Sequence, residues 1–221
     1  ALLVLPEEVS LVTSQAEKMQ AAFREEYAGS DENITIQVTK EGNEDAEVLH
    51  PTSQEKVIFF LMNLPFGVKK MSGTIEGLVE TSCNPGIMKL YRDELFVQTS
   101  IRSSVGSAKE ALSHKIQYLS EFLGGEYDTE GNYPAWEYRK DSRLRDKMVE
   151  VYKEMYHKDL QVVAIHAGLE CGLFYERMEG LDCTSLGPNI LDIHTYEERL
   201  DMPSVKRVWE YLVKVLEALK D

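Results

Sequence analysis

Two late stretches of the chain hold the residue types with the widest chemical reach: Ala164-Ile-His-Ala-Gly-Leu-Glu-Cys-Gly172 and Asn189-Ile-Leu-Asp-Ile-His-Thr-Tyr-Glu-Glu-Arg199. They place two small-residue turns, two histidines and several carboxylates close together along the sequence. His166 and Gly168 fall just past an expected strand. Backbone N–H groups at such a turn-to-helix junction can hold an anion or a developing oxyanion, and glycine lets a ligand approach the main chain. A tight strand–helix turn that needs glycine only for packing has the same pattern. His194 lies after Gly187-Pro188 and ahead of the last helix. Neutral imidazole is a favoured zinc ligand, while a surface histidine beside Glu197, Glu198 and Arg199 is the plainer reading. One histidine makes no metal site, and nothing before residue 160 offers the partners catalysis would need.

Arg102 ends a strand that carries Phe96, Gln98, Ser100 and Arg102 on one face. Its planar fork could clamp a carboxylate there, or stand as a solvated strand-end cation. His50, His114 and His157 fall in loop or helix contexts and carry no site. The pairs Glu7-Glu8, Glu25-Glu26 and Glu197-Glu198 are sequence neighbours pointing different ways, so they make no acid–base pair. No serine or cysteine sits in a nucleophile elbow.

The elements that must position these groups follow from periodicity. Residues 1–5 read as a strand, and Pro6 opens a helix whose apolar face is Val9, Val12, Ala16, Met19 and Phe23, ended by Gly29. Ile34, Ile36 and Val38 alternate as a half-buried strand. Glu41 to Glu47 is a solvated loop, and Thr52-Ser-Gln-Glu55 resembles a capping box before a helix with Val57, Phe60 and Leu61. Ile75–Thr81 and Leu90–Arg102 read as antiparallel strands about an Asn84-Pro85-Gly86 turn. A helix through Ala108, Leu112, Ile116, Leu119 and Leu123 stops at Gly124-Gly125. From Asp141 the rhythm changes to alternating elements: a helix (Leu144, Met148, Val151, Met155), a strand at 161–165, a helix at 170–177, a strand at 182–186 and a helix from Pro203. The expected fold is therefore an α+β layer, a mainly antiparallel sheet with helices, followed by an α/β segment. The boundary falls near 137–142.

Composition narrows the partners. The chain has 221 residues, a net charge of −14 and 43% hydrophobic residues, enough to bury a real core. Strong negative charge argues against nucleic acid, whose binding draws on Lys and Arg, and against an anionic membrane surface. The longest apolar runs fall far short of the roughly 18 residues a bilayer span requires. Three cysteines, Cys83, Cys171 and Cys183, form neither an even disulfide framework nor a Cys-x-x-Cys pair, which suits three buried thiols in a reducing, cytoplasmic setting. The first residues show no initiating Met and no signal pattern; they read as a strand in mid-domain, as in a processed or truncated product.

Gly77-Leu-Val-Glu-Thr-Ser82, Val97 to Ser104, Asn132-Tyr-Pro-Ala-Trp136, Ala164 to Gly172 and Ile193 to Arg199, in order over essentially the whole chain, resemble the aminoacyl-histidine dipeptidases. These Xaa-His dipeptidases, or bacterial carnosinases, sit in the zinc metallopeptidase family that includes carboxypeptidase G and the desuccinylases. The resemblance implies a catalytic α/β domain interrupted by an α+β lid that mediates homodimerisation. Residues 1–137 would be most of the lid and 138–221 the C-terminal part of the catalytic domain. It implies two zinc ions per complete enzyme, other divalent metals being possible, and a Glu acting as general base toward zinc-bound water. It makes His194 a zinc ligand, Arg102 the arginine for the substrate's carboxylate and Gly168 a backbone position at the substrate. Glu170 and His166 would shape that turn or its surroundings.

The same resemblance marks a departure. The family's His-x-Asp motif, bridging Asp, Glu-Glu pair and remaining zinc ligand precede the lid, and none is present here; the lid segment containing the family's histidine is also missing. This chain alone is thus expected to hold no catalytic residue and to be inactive by itself, the parent enzyme hydrolysing Xaa-His dipeptides such as carnosine. The alternative from another class is a non-catalytic dimerisation or binding module derived from that enzyme. A third option keeps the chemistry and changes the dipeptide.

Overall fold

The computed structural model describes residues 6–40, 42, 47–166 and 169–220, and two compact units divide at Glu55/Lys56. The strand expected at residues 1–5 lies outside the described residues, as does most of the acidic loop at 41–47. In the first unit a 3-10 turn, Pro6–Glu8, leads into α1 (Val9–Glu26). Residues 34–38 form no strand. Their backbone is held by α1 instead: the Ile36 N–H donates to Gln20 Oε1 at 2.8 Å and Arg24 Nε donates to the Ile34 carbonyl at 3.0 Å. The alternation of half-buried Ile34 and Ile36 is real, but no neighbouring strand among the described residues completes a ladder.

The division between units falls inside α2 (Pro51–Asn63). This helix starts one residue before the expected capping box. His50 caps it, accepting the Thr52 N–H on Nδ1 at 3.3 Å and the Gln54 N–H on its carbonyl at 2.9 Å. Pro51, with no N–H to satisfy, suits the first helical position.

In the second unit β1 (Gly67–Met71), β2 (Val79–Leu90) and β3 (Leu95–Ser103) form an antiparallel sheet in that order. The expected turn at Asn84-Pro85-Gly86 is an error of reading. β2 runs straight through it with a bulge between Pro85 and Ile87, and the chain reverses only at Tyr91–Glu94, where the Tyr91 N–H donates to the Glu94 carbonyl at 2.8 Å. Pro85 is tolerated because β1 pairs no further along β2 than Cys83, so beyond that point β2 has a ladder on one side only among the described residues. β1 itself was not expected. α3 (Gly106–Phe122) covers one face of the sheet through Leu112 and Ile116, which join Leu64, Cys83, Phe60, Val97, Ile101 and Tyr127 in a core.

A separate core lies further along the chain. Ser142 caps α4 (Arg143–Tyr156), accepting the Arg145 N–H at 3.0 Å. Met148 and Val151 of α4 meet Tyr211 and Val215 of the last helix. The Tyr211 hydroxyl, its pKa pushed up to about 12 by burial and by Tyr152 and Tyr156, donates to the Met148 carbonyl at 2.7 Å. Between these helices come α5 (Glu170–Arg177), a two-residue antiparallel pair, β4 (Ile190–Leu191) with β5 (Arg199–Leu200), and then α6 (Met202–Ala218).

The strands expected at 161–165 and 182–186 do not form. Val162, Val163 and Ile165 are 49%, 74% and 54% exposed, so their apolar character is unspent rather than buried in a sheet. A strand requires a hydrogen-bonded neighbour, and none of the described residues supplies one. Of the three thiols expected to be buried, only Cys83 is; Cys171 and Cys183 are half-buried, and all three are free. No helix among the described residues is long and apolar enough to cross a membrane.

Candidate functional site

The outer face of the β2–β3 pair carries the first part of the site. Along β3, Val97 and Ile101 turn to the core, leaving Phe96, Gln98, Ser100 and Arg102 outward, as the period-two reading expects. Ser82 lies directly across from Arg102, and Asn84 across from Ser100. Opposite residues of an antiparallel pair share a face, so Ser82 and Arg102 stand side by side.

Both reach His166. Ser82 Oγ lies 2.6 Å from His166 Nε2, and Arg102 Nη1 donates to the His166 carbonyl at 3.2 Å. Burial and the adjacent Arg102 guanidinium hold the imidazole below its usual pKa, with a hydrogen bond to the Val79 backbone opposing them. The ring is therefore neutral near pH 7, and with its proton on Nδ1 the Ser82 hydroxyl donates to Nε2. Arg102 is exposed and has no carboxylate partner among the described residues. A guanidinium with one donor engaged and the rest of its fork open is suited to a planar carboxylate.

Gly168 lies, with Ala167, outside the described residues. Glu170 opens α5 and is exposed, its charge at the favourable end of the helix. Gly172 settles its own part of the packing question: a Cβ there would lie 2.9 Å from the Pro134 carbonyl and 3.6 Å from Trp136 Cβ. The small residue is needed so that α5 can approach the 134–136 segment.

His194 belongs to a different loop, 192–198, between β4 and β5. The loop is closed by the Arg199–Asp192 ion pair at 2.6 Å, and its turns by Thr195 and Glu198 N–H groups donating to the Asp192 and Thr195 carbonyls. Glu198 Oε2 accepts the His194 backbone N–H at 3.0 Å. Asp192 and His194 both adopt left-handed backbone, φ 53° and 65°, a conformation that costs a non-glycine residue on the order of 1 kcal/mol. The exposed imidazole nitrogens make no hydrogen bond among the described residues. Among the described residues no hydrogen bond or ion pair joins this loop to Arg102 or His166.

The metal question has a plain answer for these residues. No group of three or more His, Cys, Asp or Glu among the described residues is placed to hold a metal ion. The donor set of the described residues thus does not by itself fit a zinc centre.

Ser82 was missed as a site residue. Placing the turn at Asn84-Pro85-Gly86 set Ser82 opposite the start of the following strand instead of its end, which hid its pairing with Arg102.

No family model matches the chain. Over 216 residues it is 28% identical to the cytosol non-specific dipeptidase of Escherichia coli (strain K12), covering 98% of this chain and 44% of that protein. Its structure matches the aminoacylhistidine dipeptidase of Vibrio alginolyticus with a TM-score of 0.85 and 30% identity, covering 96% of this chain and 43% of the other. Aminopeptidase PepT of Bacillus cereus shares the fold at TM-score 0.58 and 15% identity, over 76% of this chain and 46% of its own length. The resemblance to aminoacyl-histidine dipeptidases and the expected fold class are borne out at this level. The chain spans less than half the length of the relatives it matches.

Proposed function

We propose that this chain is the lid and C-terminal catalytic portion of a metal-dependent dipeptidase that hydrolyses Xaa-His dipeptides. The observation that carries the reading is the continuous match, over 96% of the chain at TM-score 0.85 and 30% identity, to an aminoacylhistidine dipeptidase. In this reading residues 1–137 are lid and 138–221 catalytic segment, a division supported by the two separate cores, one built from residues 60–127 and one from residues 144–218. Arg102 binds the dipeptide's carboxylate, and His166, Gly168 and Glu170 belong to the substrate side of the site. His194 contributes one zinc ligand, and the other ligands of two zinc ions, with the general base, come from a part of the enzyme outside these residues. The strained backbone at His194 and its unengaged imidazole support that role. We further propose a homodimer through the lid and a cytoplasmic location.

The zinc ions, when bound, would supply an activated water; what this chain does is bind and orient the substrate. Assaying the full-length protein for histidine release from carnosine, with and without a chelator and zinc, tests the reading. Zinc-restored release supports it. A fully metal-loaded protein that cleaves no dipeptide overturns it. Comparing kcat/KM for Xaa-His and other dipeptides separates an aminoacyl-histidine preference from the broader specificity named for the Escherichia coli relative.

A further inference from the structure

We propose that Ser82 is a positioning residue for the carboxylate-binding arginine: its hydroxyl seats His166 against the sheet, and the His166 carbonyl aims the Arg102 guanidinium. The substrate part of this inference rests on the dipeptidase reading; the seating of His166 does not.

The geometry forms a closed circuit. Ser82 and Arg102 are cross-strand partners in β2 and β3, so the ladder fixes their separation. Ser82 meets the ring of His166 at 2.6 Å while Arg102 meets its main chain at 3.2 Å. His166 is thereby held by its ring and by its carbonyl to two adjacent strands. Arginine has a long, rotamer-rich side chain whose ordering costs entropy. A carbonyl that already engages Nη1 removes part of that cost before a carboxylate arrives, which is how preorganisation raises affinity. Losing the Ser82 hydroxyl frees the ring, lets the His166 main chain drift and returns Arg102 to a wider set of rotamers. In the dipeptidase reading the consequence belongs to substrate binding and not to the bond-breaking step, because Arg102 would hold the dipeptide's carboxylate and not its scissile bond.

Steady-state kinetics of the full-length protein read this directly. With a free dipeptide, Ser82→Ala raises KM by about three- to tenfold with kcat nearly unchanged, and Ser82→Thr, which keeps the hydroxyl, restores wild-type KM. With the C-terminally amidated dipeptide, which lacks the carboxylate, Ser82→Ala and wild type have the same KM. An unchanged KM on the free dipeptide, or an equal rise on the amide, overturns the proposal. A second measurement needs no activity: NMR titration of the His166 ring in the 221-residue chain. Its pKa rises toward the ordinary imidazole value in Ser82→Ala and not in Ser82→Thr. If His166 titrates identically in wild type and Ser82→Ala, the seating is absent and the proposal falls even in an active enzyme. If His166 responds but no dipeptide is cleaved, the dipeptidase reading fails and the seating of His166 stands.

Discussion

At the residue scale the candidate site is one cation, one neutral imidazole and one exposed imidazole. Removing the cation tests its role: Arg102→Ala in the full-length protein is expected to raise KM for free dipeptides roughly tenfold or more, the cost of a charge-assisted contact. Unchanged kinetics would take Arg102 out of the site. His166 gives a pH signature. Its pKa in the folded chain is held below the ordinary value of 6.5, so the contacts of its neutral ring contribute stability that is fully present above about pH 6.5. That contribution is lost as pH falls from there through the depressed folded value. Urea unfolding of wild type and His166→Gln at a series of pH values should show a stability gap that closes on acidification; a constant gap refutes it. The residue types themselves were legible in the sequence, since Arg102 at a strand end and two histidines near small-residue turns announce their chemistry. Their partners were not, because Ser82 meets His166 only across 84 positions of chain.

At the element scale local signals placed most helices, and long-range pairing decided the strands. α3, α4 and α6 follow the apolar periodicity, α3 ends just ahead of Gly124-Gly125, and α5 lies where a helix at 170–177 is expected. Two elements depend on contacts that no local pattern encodes. α4 is capped twice, by Ser142 and by Asp182, whose carboxylate accepts from Ser142 Oγ at 2.6 Å and from the Leu144 N–H at 3.0 Å. Burial alone would raise the Asp182 pKa, but these hydrogen bonds, with Arg139 and Arg145 nearby, hold it below the usual 3.8. Its stabilising effect is present above that value and is lost as pH falls through the depressed one. Asp182→Ala should destabilise the chain by about 1 kcal/mol at neutral pH, read by thermal or chemical unfolding, with the deficit shrinking in acid. Gly172→Ala should cost about 1–3 kcal/mol, since the Pro134 carbonyl against it is backbone and gives way poorly. Wild-type stability in that variant would show that the close approach is not maintained.

At the scale of the whole molecule the chain is a set of well-formed elements with unmet requirements. Val162, Val163 and Ile165 are apolar and exposed, and among the described residues His194 belongs to no group of three or more His, Cys, Asp or Glu that could hold a metal. Zinc centres need several protein ligands in one place, so the purified 221-residue chain is expected to bind zinc weakly and below one equivalent. Tight one-to-one binding by calorimetry would contradict this. The sequence by itself determined the helices, the outward face of β3 and the chemistry of Arg102, His166 and His194, because periodicity and side-chain type are properties of a short window. Only the tertiary structure decided the register that sets Ser82 beside Arg102, the bulge in place of a turn at Pro85, and the failure of 161–165 and 182–186 to become strands. Each of these depends on a hydrogen-bonded neighbour far away in sequence, and a strand without that neighbour is only an extended run of residues.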